Sequence, residues 1–214
     1  MSDYVCESMI VDPVLQHQII ARVVAADLGV TPVAAAAYLG PLHLPDGQVV
    51  GLFVRHAADA LMLDDCGQVA LITRIFAPGA GKLAIPGGFI DNIGGVVEVP
   101  LTAAVREAIE ETGIAAEVLT RAAHFAVGTR LYDRPFDIRV AWNDLAGTDI
   151  CKGDVFSVST QAFCFKIPGN LHDYHLHAGD DAKAVSVWAV NQLIPSLFAV
   201  PDHITMINLA ILVG

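Results

Sequence analysis

Basic residues are scarce in this chain. Its 214 residues hold 12 Lys and Arg against 23 Asp and Glu, a formal net charge of -11. No Lys/Arg cluster interrupts that balance, which excludes nucleic acid held by bulk electrostatics as a partner. Cysteine is sparse too. Cys6, Cys66, Cys151 and Cys164 stand far apart with no C-x-x-C pair. They read as ordinary cytosolic thiols, with neither a disulfide framework nor a zinc knuckle expected. Long apolar runs are missing. Stretches such as Val33–Leu39 and Ile204–Val213 fall short of the about 18 apolar residues of a membrane span, so no membrane partner is expected. Met1-Ser2-Asp3-Tyr4 shows no basic segment ahead of an apolar run, so no signal peptide is expected and the expected compartment is the cytoplasm. What remains is 54% hydrophobic and only 16% charged, which argues against disorder. The length suits one domain, or one domain with a terminal extension.

Glutamate is the rarest acid and the most unevenly placed. Of the 23 acidic residues 17 are Asp; the six Glu are Glu7, Glu98, Glu107, Glu110, Glu111 and Glu117. Four of them crowd between Glu98 and Glu111, and such clustering asks for a cause.

Periodicity sets out the rest. Residues 13–38 read as one or two helices, with Ile19, Ile20, Val23, Val24 and Leu28 at helical spacing. Asp12-Pro13 and Thr31-Pro32 look like starts; Gly29 and Gly40 look like stops. From Gly51 the pattern changes to strands. Ala60–Leu63 and Val69–Ile75 flank Asp64-Asp65-Cys66-Gly67, a hairpin turn. Leu83-Ala84-Ile85 is a short strand closed by Pro86-Gly87-Gly88. Pro100–Thr112 is a helix with Pro at its first turn and Gly113 past its end. Val118–Val127, Val155–Ile167 and Val185–Val190 read as strands, with Phe156, Val158, Ala162 and Cys164 on one face of the second. Ile204–Leu212 reads as a closing helix, and Ala146–Asp154 and Pro168–Ala182 as loops. Strands with interspersed helices give an α/β or α+β domain.

On a helical wheel Leu101, Val105, Ala108, Ile109 and Thr112 share one stripe, expected to face the core. Glu107, Glu110 and Glu111 lie on the far side, with Arg106 placed to pair with Glu110 at i, i+4. Like charges on one face cost roughly 0.2–0.5 kcal/mol per neighbour. Glu110 and Glu111 also sit near the helix C-terminus, where the macrodipole disfavours anions. A solvated polar face is the ordinary reading of such a pattern. It explains neither the concentration nor the conflict with the dipole. Carboxylates at i, i+3 and i+4 are also what a hard cation such as Mg²⁺ takes.

The flanking sequence favours the cation. Gly87-Gly88-Phe89-Ile90-Asp91 leads to Glu98, then seven residues, then Arg106-Glu107-Ala108-Ile109-Glu110-Glu111-Thr112-Gly113-Ile114. This resembles the Nudix box, G-x5-E-x7-R-E-U-x-E-E-x-G-U with U apolar, complete from Glu98 to Ile114. The box glycine counted back from Glu98 would be Asn92, so the Gly-Gly lies four residues early. We read a four-residue insertion within Asp91–Val97, with Gly94-Gly95 as its bulge.

The resemblance implies an α/β/α sandwich with a mixed central sheet at residues 51–214, behind a helical N-terminal extension at residues 1–50 that packs on the domain or builds a dimer contact. It implies hydrolysis of a nucleoside diphosphate linked to another moiety, with Mg²⁺ or alternatively Mn²⁺ as cofactor. Carried over by position, Glu107, Glu110 and Glu111 would be the metal carboxylates, joined by the Gly88 carbonyl. Arg106 would orient one of them, and Glu98 would support the site. Glu98, Arg106, Glu107 and Glu110 are the catalytic candidates, and Arg74, Gly87, Gly88 and Phe89 the candidates for touching substrate. Beyond the box, the hairpin Ala57–Arg74, Tyr132-Asp133-Arg134-Pro135, Ser159-Thr160-Gln161-Ala162-Phe163, Asp180-Asp181-Ala182 leading to Trp188, and Asp202-His203 form an ordered series. It is similar to ADP-ribose-cleaving Nudix domains, which makes ADP-ribose, cleaved to AMP and ribose 5-phosphate, the leading substrate and a homodimer the expected assembly. An Arg-Gly-Arg expected after the Tyr-Asp-x-Pro is missing, and residues 136–154 read as an inserted loop.

Two alternatives stand beside this reading. One is a domain that senses ADP-ribose-type ligands without cleaving them; the other removes modified dNTPs by the same chemistry. His172, His175 and His177 form an H-x-x-H-x-H that is a candidate transition-metal site but more ordinarily a polar loop. Trp188 and Phe163 read as core before they read as base-stacking. Arg74, Tyr132 and Asp133 read equally as phosphate contacts or as solvated groups at strand ends; Asp180-Asp181 is ordinarily a solvated turn, and the resemblance implies a structural role for Asp181 near the strand to Trp188.

Overall fold

Almost every residue from Leu52 to Asp64 is buried, on both faces, which is why this run shows no polar–apolar alternation. The computed structural model describes residues 6–9, 12–25, 36–76, 79–131, 136–138, 154–179 and 182–214. In chain order the elements are β1 (Cys6–Met9), α1 (Pro13–Ala25), β2 (Ala36–His43), β3 (Val49–Asp64), β4 (Gln68–Arg74), β5 (Leu83–Ala84), β6 (Gly87–Phe89), β7 (Asn92–Ile93) and β8 (Val96–Val97). There follow α2 (Pro100–Thr112), α3 (Ala116–Arg121), β9 (Ala123–Leu131), β10 (Phe136–Ile138), β11 (Val155–Ile167), β12 (Ala182–Ala189) and α4 (His203–Val213). The α/β class expected from the sequence holds. No helix among the described residues is long and apolar enough to cross a membrane.

The chain divides into two compact units, with β3 and β11 each passing from one into the other. The first comprises Met1–Ala57, Phe89–Pro100 and Thr129–Thr160. Here Asp12 caps α1: its Oδ1 accepts the N–H of Val14 at 2.8 Å and of Leu15 at 2.9 Å, with Pro13 at the first helical position. Leu15, Ile19 and Val23 of α1 share a core cluster with Leu42, Leu52, Val54 and Val155. Arg22 joins helix to strand by donating from Nη1 to the Pro41 carbonyl at 2.8 Å and from Nη2 to that of Leu39. β2 runs antiparallel to β3, with Ala36 opposite Arg55 and His43 opposite Val49.

Residues 36–38 therefore belong to a strand, although the sequence reading extended a helix to 38. Alanine favours helix only as a weak prior, and ladder pairing with a buried strand outweighs it. Residues 92–97 fold as the two-stranded hairpin β7–β8, with Asn92 opposite Val97 and Ile93 opposite Val96. Gly94 and Gly95 take positive φ of 62° and 86°, the turn that a two-residue hairpin loop favours. The expected insertion thus carries its own small ladder.

The second unit comprises Ala58–Gly88, Leu101–Gly128 and Gln161–Gly214. β3 and β4 form the expected hairpin. Asp64 Oδ1 accepts the N–H of Cys66 at 2.9 Å and of Gln68 at 2.7 Å, and Gly67 supplies a positive φ. β12 lies antiparallel on β4, with Trp188 opposite Val69, and β5 pairs β4 as well. Leu61, Leu71, Ile85, Cys164, Phe198 and Ile207 anchor the core, and Trp188 packs against it. Phe198 is fully buried, so Phe198→Ala should cost about 3–5 kcal/mol in a denaturant titration.

Val118–Val127, read as one strand, splits into α3 and β9, with Leu119 of α3 buried. A helix of six residues is too short to show a 3.6-residue period. Residues 29–33, Tyr132–Pro135, residues 139–153 and Asp180-Asp181 lie outside the described residues.

Candidate active site

Helix α2 has the limits its sequence predicts, and its end is closed by two devices. Gly113 takes φ 64° and its N–H returns to the Ile109 carbonyl at 2.9 Å. The segment after β11 then supplies further donors. The N–H of His177 reaches the Thr112 carbonyl at 2.9 Å and that of Gly179 the Glu111 carbonyl at 3.3 Å. These bonds satisfy carbonyls that a helix end leaves open. A Cβ on Gly179 would stand 1.7 Å from the Glu110 carbonyl oxygen. Gly179→Ala is therefore expected to lift this segment off α2 and lower stability by about 1–3 kcal/mol, measured by denaturation.

The helix packs differently from its wheel. Ala103, Ala104, Ala108, Glu111 and Thr112 are buried, while Leu101, Val105 and Ile109 are only half-buried. Glu111, expected on the far side, is inside. The physical reason lies on a distant segment: Gly87 offers an N–H that draws Glu111 inward, and Gly88, without a Cβ, leaves room for Glu107 beside it. Its Oε2 accepts the Gly87 N–H at 2.9 Å. Next to it, Glu107 fills the space a Cβ on Gly88 would need, with Oε1 2.2 Å from that point. Glu107 keeps 14% of its side-chain exposure and Glu110 keeps 58%. Arg106 Nη1 donates to Glu107 Oε1 at 2.7 Å and to Glu110 Oε2 at 3.1 Å, so the expected i, i+4 pair is made and a neighbour is added.

Electrostatics mark Glu111 out. Burial pushes its pKa up to about 8; the Gly87 N–H opposes this, Glu107 adds to it, Arg74 opposes and Asp59 adds. Arg74 ends β4, close enough for its charge to act on Glu111. One unit thus gathers Arg74, Gly87, Gly88, Arg106, Glu107, Glu110 and Glu111. Phe89 and Glu98 fall in the other. There Phe89 lies under the Arg55 guanidinium, 3.5 Å from ring centroid to carbon, and Glu98 closes the base of the β7–β8 hairpin. Glu98 N–H donates to the Asp91 carbonyl at 2.9 Å, and its Oε2 accepts the Asp91 N–H at 3.3 Å.

The two glycines have different neighbours, and their alanine variants should differ. At Gly87 a Cβ meets the Ala58 carbonyl at 2.7 Å and the Asp59 Cα at 2.9 Å, which are backbone atoms. Gly87→Ala should cost about 1–3 kcal/mol of stability. At Gly88 a Cβ meets only the end of the Glu107 side chain. Gly88→Ala should keep the melting temperature close to wild type while displacing Glu107 and removing activity.

Among the described residues, no group of three His, Cys, Asp or Glu side chains is placed to hold a metal ion. His172, His175 and His177 have no such geometry; His177 instead sets its ring against Gly113 at the end of α2. The sequence reading gave Asp59 and His203 no role at the site. For Asp59 the available signal was a charge within a largely apolar strand. For His203 it was a histidine opening a helix otherwise almost wholly apolar.

Residues 54–199 match the NUDIX domain. No curated protein matches the sequence. Among solved structures, a bifunctional NMN adenylyltransferase/ADP-ribose pyrophosphatase from Francisella tularensis, complexed with AMP and a manganese ion, is 18% identical with a TM-score of 0.48. That likeness covers 92% of this chain and 47% of that one, so this chain spans about half its length. The NUDIX domain of Shewanella oneidensis NrtR, complexed with ADP-ribose, is 16% identical with a TM-score of 0.49, over 72% of this chain and 84% of that one. A C. elegans Ap4A hydrolase is 18% identical with a TM-score of 0.47, over 74% and 98%. None of these three likenesses bears on the substrate. The domain match spans well over half of the sequence and contains the whole glutamate helix, Gly87-Gly88 and Arg74: the chain belongs to the NUDIX domain family.

Proposed function

We propose that this enzyme hydrolyses the diphosphate of a nucleoside diphosphate linked to another moiety, with ADP-ribose as substrate and AMP and ribose 5-phosphate as products. The observation that carries the reading is the pair Glu107 and Glu111, set side by side against Gly88 and Gly87 at the buried edge of α2. The donors fit a hard divalent cation. All are oxygens, and Glu111, its pKa raised to about 8 first by burial and then by the Glu107 carboxylate, gains most from a cation that offsets both. Glu107 and Glu111 would hold Mg²⁺ or Mn²⁺ with the Gly88 carbonyl, and Glu110, which as placed completes no group of three, would join only on leaving Arg106. Bound there, the cation neutralises diphosphate charge, polarises a phosphoryl oxygen and acidifies water.

The chain's own residues prepare that site. Gly87 N–H fixes Oε2 of Glu111. Arg106 holds Glu107 and Glu110 in place by charge-assisted bonds. Arg74 brings a cation beside the acids, suited to meet a phosphate on arrival. Glu98 keeps its supporting role only as what the box resemblance implies. The test is a panel of ADP-ribose, NADH, dinucleoside polyphosphates and modified dNTPs with Mg²⁺ or Mn²⁺. The expected result is fastest turnover of ADP-ribose with both phosphorylated products formed; preference for a modified dNTP would overturn the substrate.

One observation favours a non-cleaving sensor: Arg106 already satisfies Glu107 and Glu110 without a metal. Thermal stabilisation by ADP-ribose with no product after long incubation would support that second reading.

A further inference from the structure

The glycine edge that meets α2 is itself held from behind. Asp59 on β3 and His203, the first residue of α4, are both buried. His203 Nδ1 accepts the Ile85 N–H at 3.2 Å, which leaves Nε2 as the protonated nitrogen of the neutral ring. That Nε2 stands 3.9 Å from Asp59 Oδ2. The other oxygen, Asp59 Oδ1, lies 2.2 Å from where a Gly87 Cβ would be. Between them the Pro86 carbonyl accepts the Ala60 N–H at 2.8 Å. The segment Ile85–Gly88 is thus held at Ile85 by His203 and along β3 at Pro86, with the Asp59 carboxylate packed where a Gly87 side chain would lie. Its other side carries the Gly87 N–H donated to Glu111. Phe198, edge-on to the imidazole at 6.1 Å, keeps the ring in this orientation.

We propose that Asp59 and His203 are positioning residues of the active site, acting through Ile85–Gly88 to set the Gly87 N–H and the Gly88 backbone against Glu111 and Glu107. A buried carboxylate and imidazole are costly to keep in a core unless they make specific bonds. Here the His203 bond ends on Ile85, at the start of a backbone segment that meets the catalytic helix, and the Asp59 carboxylate packs against Gly87 in the same segment. The inference rests on the functional reading above for its consequence in catalysis, but the geometric part stands apart from it. Neither residue touches substrate. Losing such outer partners of a metal site costs about 10–100-fold in metal affinity or activity.

The test compares Asp59→Asn, His203→Phe and His203→Gln with wild type in the full chain. Gln can still accept from Ile85 and donate towards Asp59, so it is the rescuing variant. Three quantities are read: Mn²⁺ affinity by paramagnetic titration of the free protein, kcat and KM for ADP-ribose, and hydrogen exchange of the Gly87 amide in metal-free protein. Expected for Asp59→Asn and His203→Phe are a 10–100-fold weaker Mn²⁺ affinity, a similar fall in kcat with KM little changed, and faster Gly87 exchange. His203→Gln should restore most of each. Should His203→Phe not fold, Asp59→Asn, which preserves shape, carries the comparison. Variants with a lower melting temperature but wild-type Mn²⁺ affinity, kcat and Gly87 exchange would overturn the proposal and leave a core pair only. If wild type neither binds Mn²⁺ nor turns over substrate, the functional reading fails, and Gly87 exchange alone still decides the positioning.

Discussion

Glu107→Gln should lower kcat for ADP-ribose by more than the roughly 100-fold at which loss of an outer partner tops out, because a ligand carboxylate itself is removed. The melting temperature should stay near that of wild type. Glu107 is half-buried and its partner Arg106 keeps Glu110, so the neutral side chain leaves no buried charge stranded. The double variant Glu107→Gln, Glu111→Gln should show no cleavage with either cation. Retention of wild-type turnover in that double variant would remove α2 from the chemistry altogether. Glu110→Gln, by contrast, changes an exposed group and should cost less than either.

Glu111→Gln is expected to stabilise the metal-free protein, and increasingly so as pH rises. The reasoning follows from proton linkage. The folded-state pKa of Glu111 stands at about 8, above the ordinary 4.5. Between those values the folded chain binds a proton that the unfolded chain does not. Stability is therefore fully present below about pH 4.5 and is lost as pH rises through 8, by up to roughly 1.4 kcal/mol per pH unit. Glutamine does not titrate. The stability difference between variant and wild type should grow by up to about 4 kcal/mol from pH 5 to pH 8, measured by denaturation in EDTA. Burial lowers the pKa of His56, which acts the other way as pH falls, but His56 is common to both proteins and cancels in the difference. Saturating Mg²⁺ should flatten the wild-type curve and release protons on binding. A difference that does not change with pH would show that Glu111 is ionised throughout.

The sequence made α2 legible because its signals are local. Pro100 and Gly113 bound it, and the glutamates sit at fixed spacings on it. The β3–β4 hairpin was legible for the same reason, through Asp64 and Gly67. What the sequence hid is set by packing across distant segments. The wheel ranked side chains by polarity and put Glu111 outside. The seam was decided instead by two segments of the chain, the carboxylates of α2 and the Gly87 N–H with the empty Cβ position of Gly88. The wheel carries no information on the second of these. Asp59 and His203 are 144 positions apart (203 minus 59), so no window contains both. Alanines 34–37 argued for helix, and residues 36 and 37 became strand because β3 offered a ladder. Short elements escaped as well: α3 is too brief for a period to appear.

The most direct measurement is the location of Mn²⁺ by anomalous diffraction from crystals soaked in that ion. The account predicts a peak within roughly 2.0–2.6 Å of carboxylate oxygens of both Glu107 and Glu111, the span of hard-cation ligand distances. A peak confined to His172, His175 and His177, with Glu107 and Glu111 left uncoordinated, would contradict it.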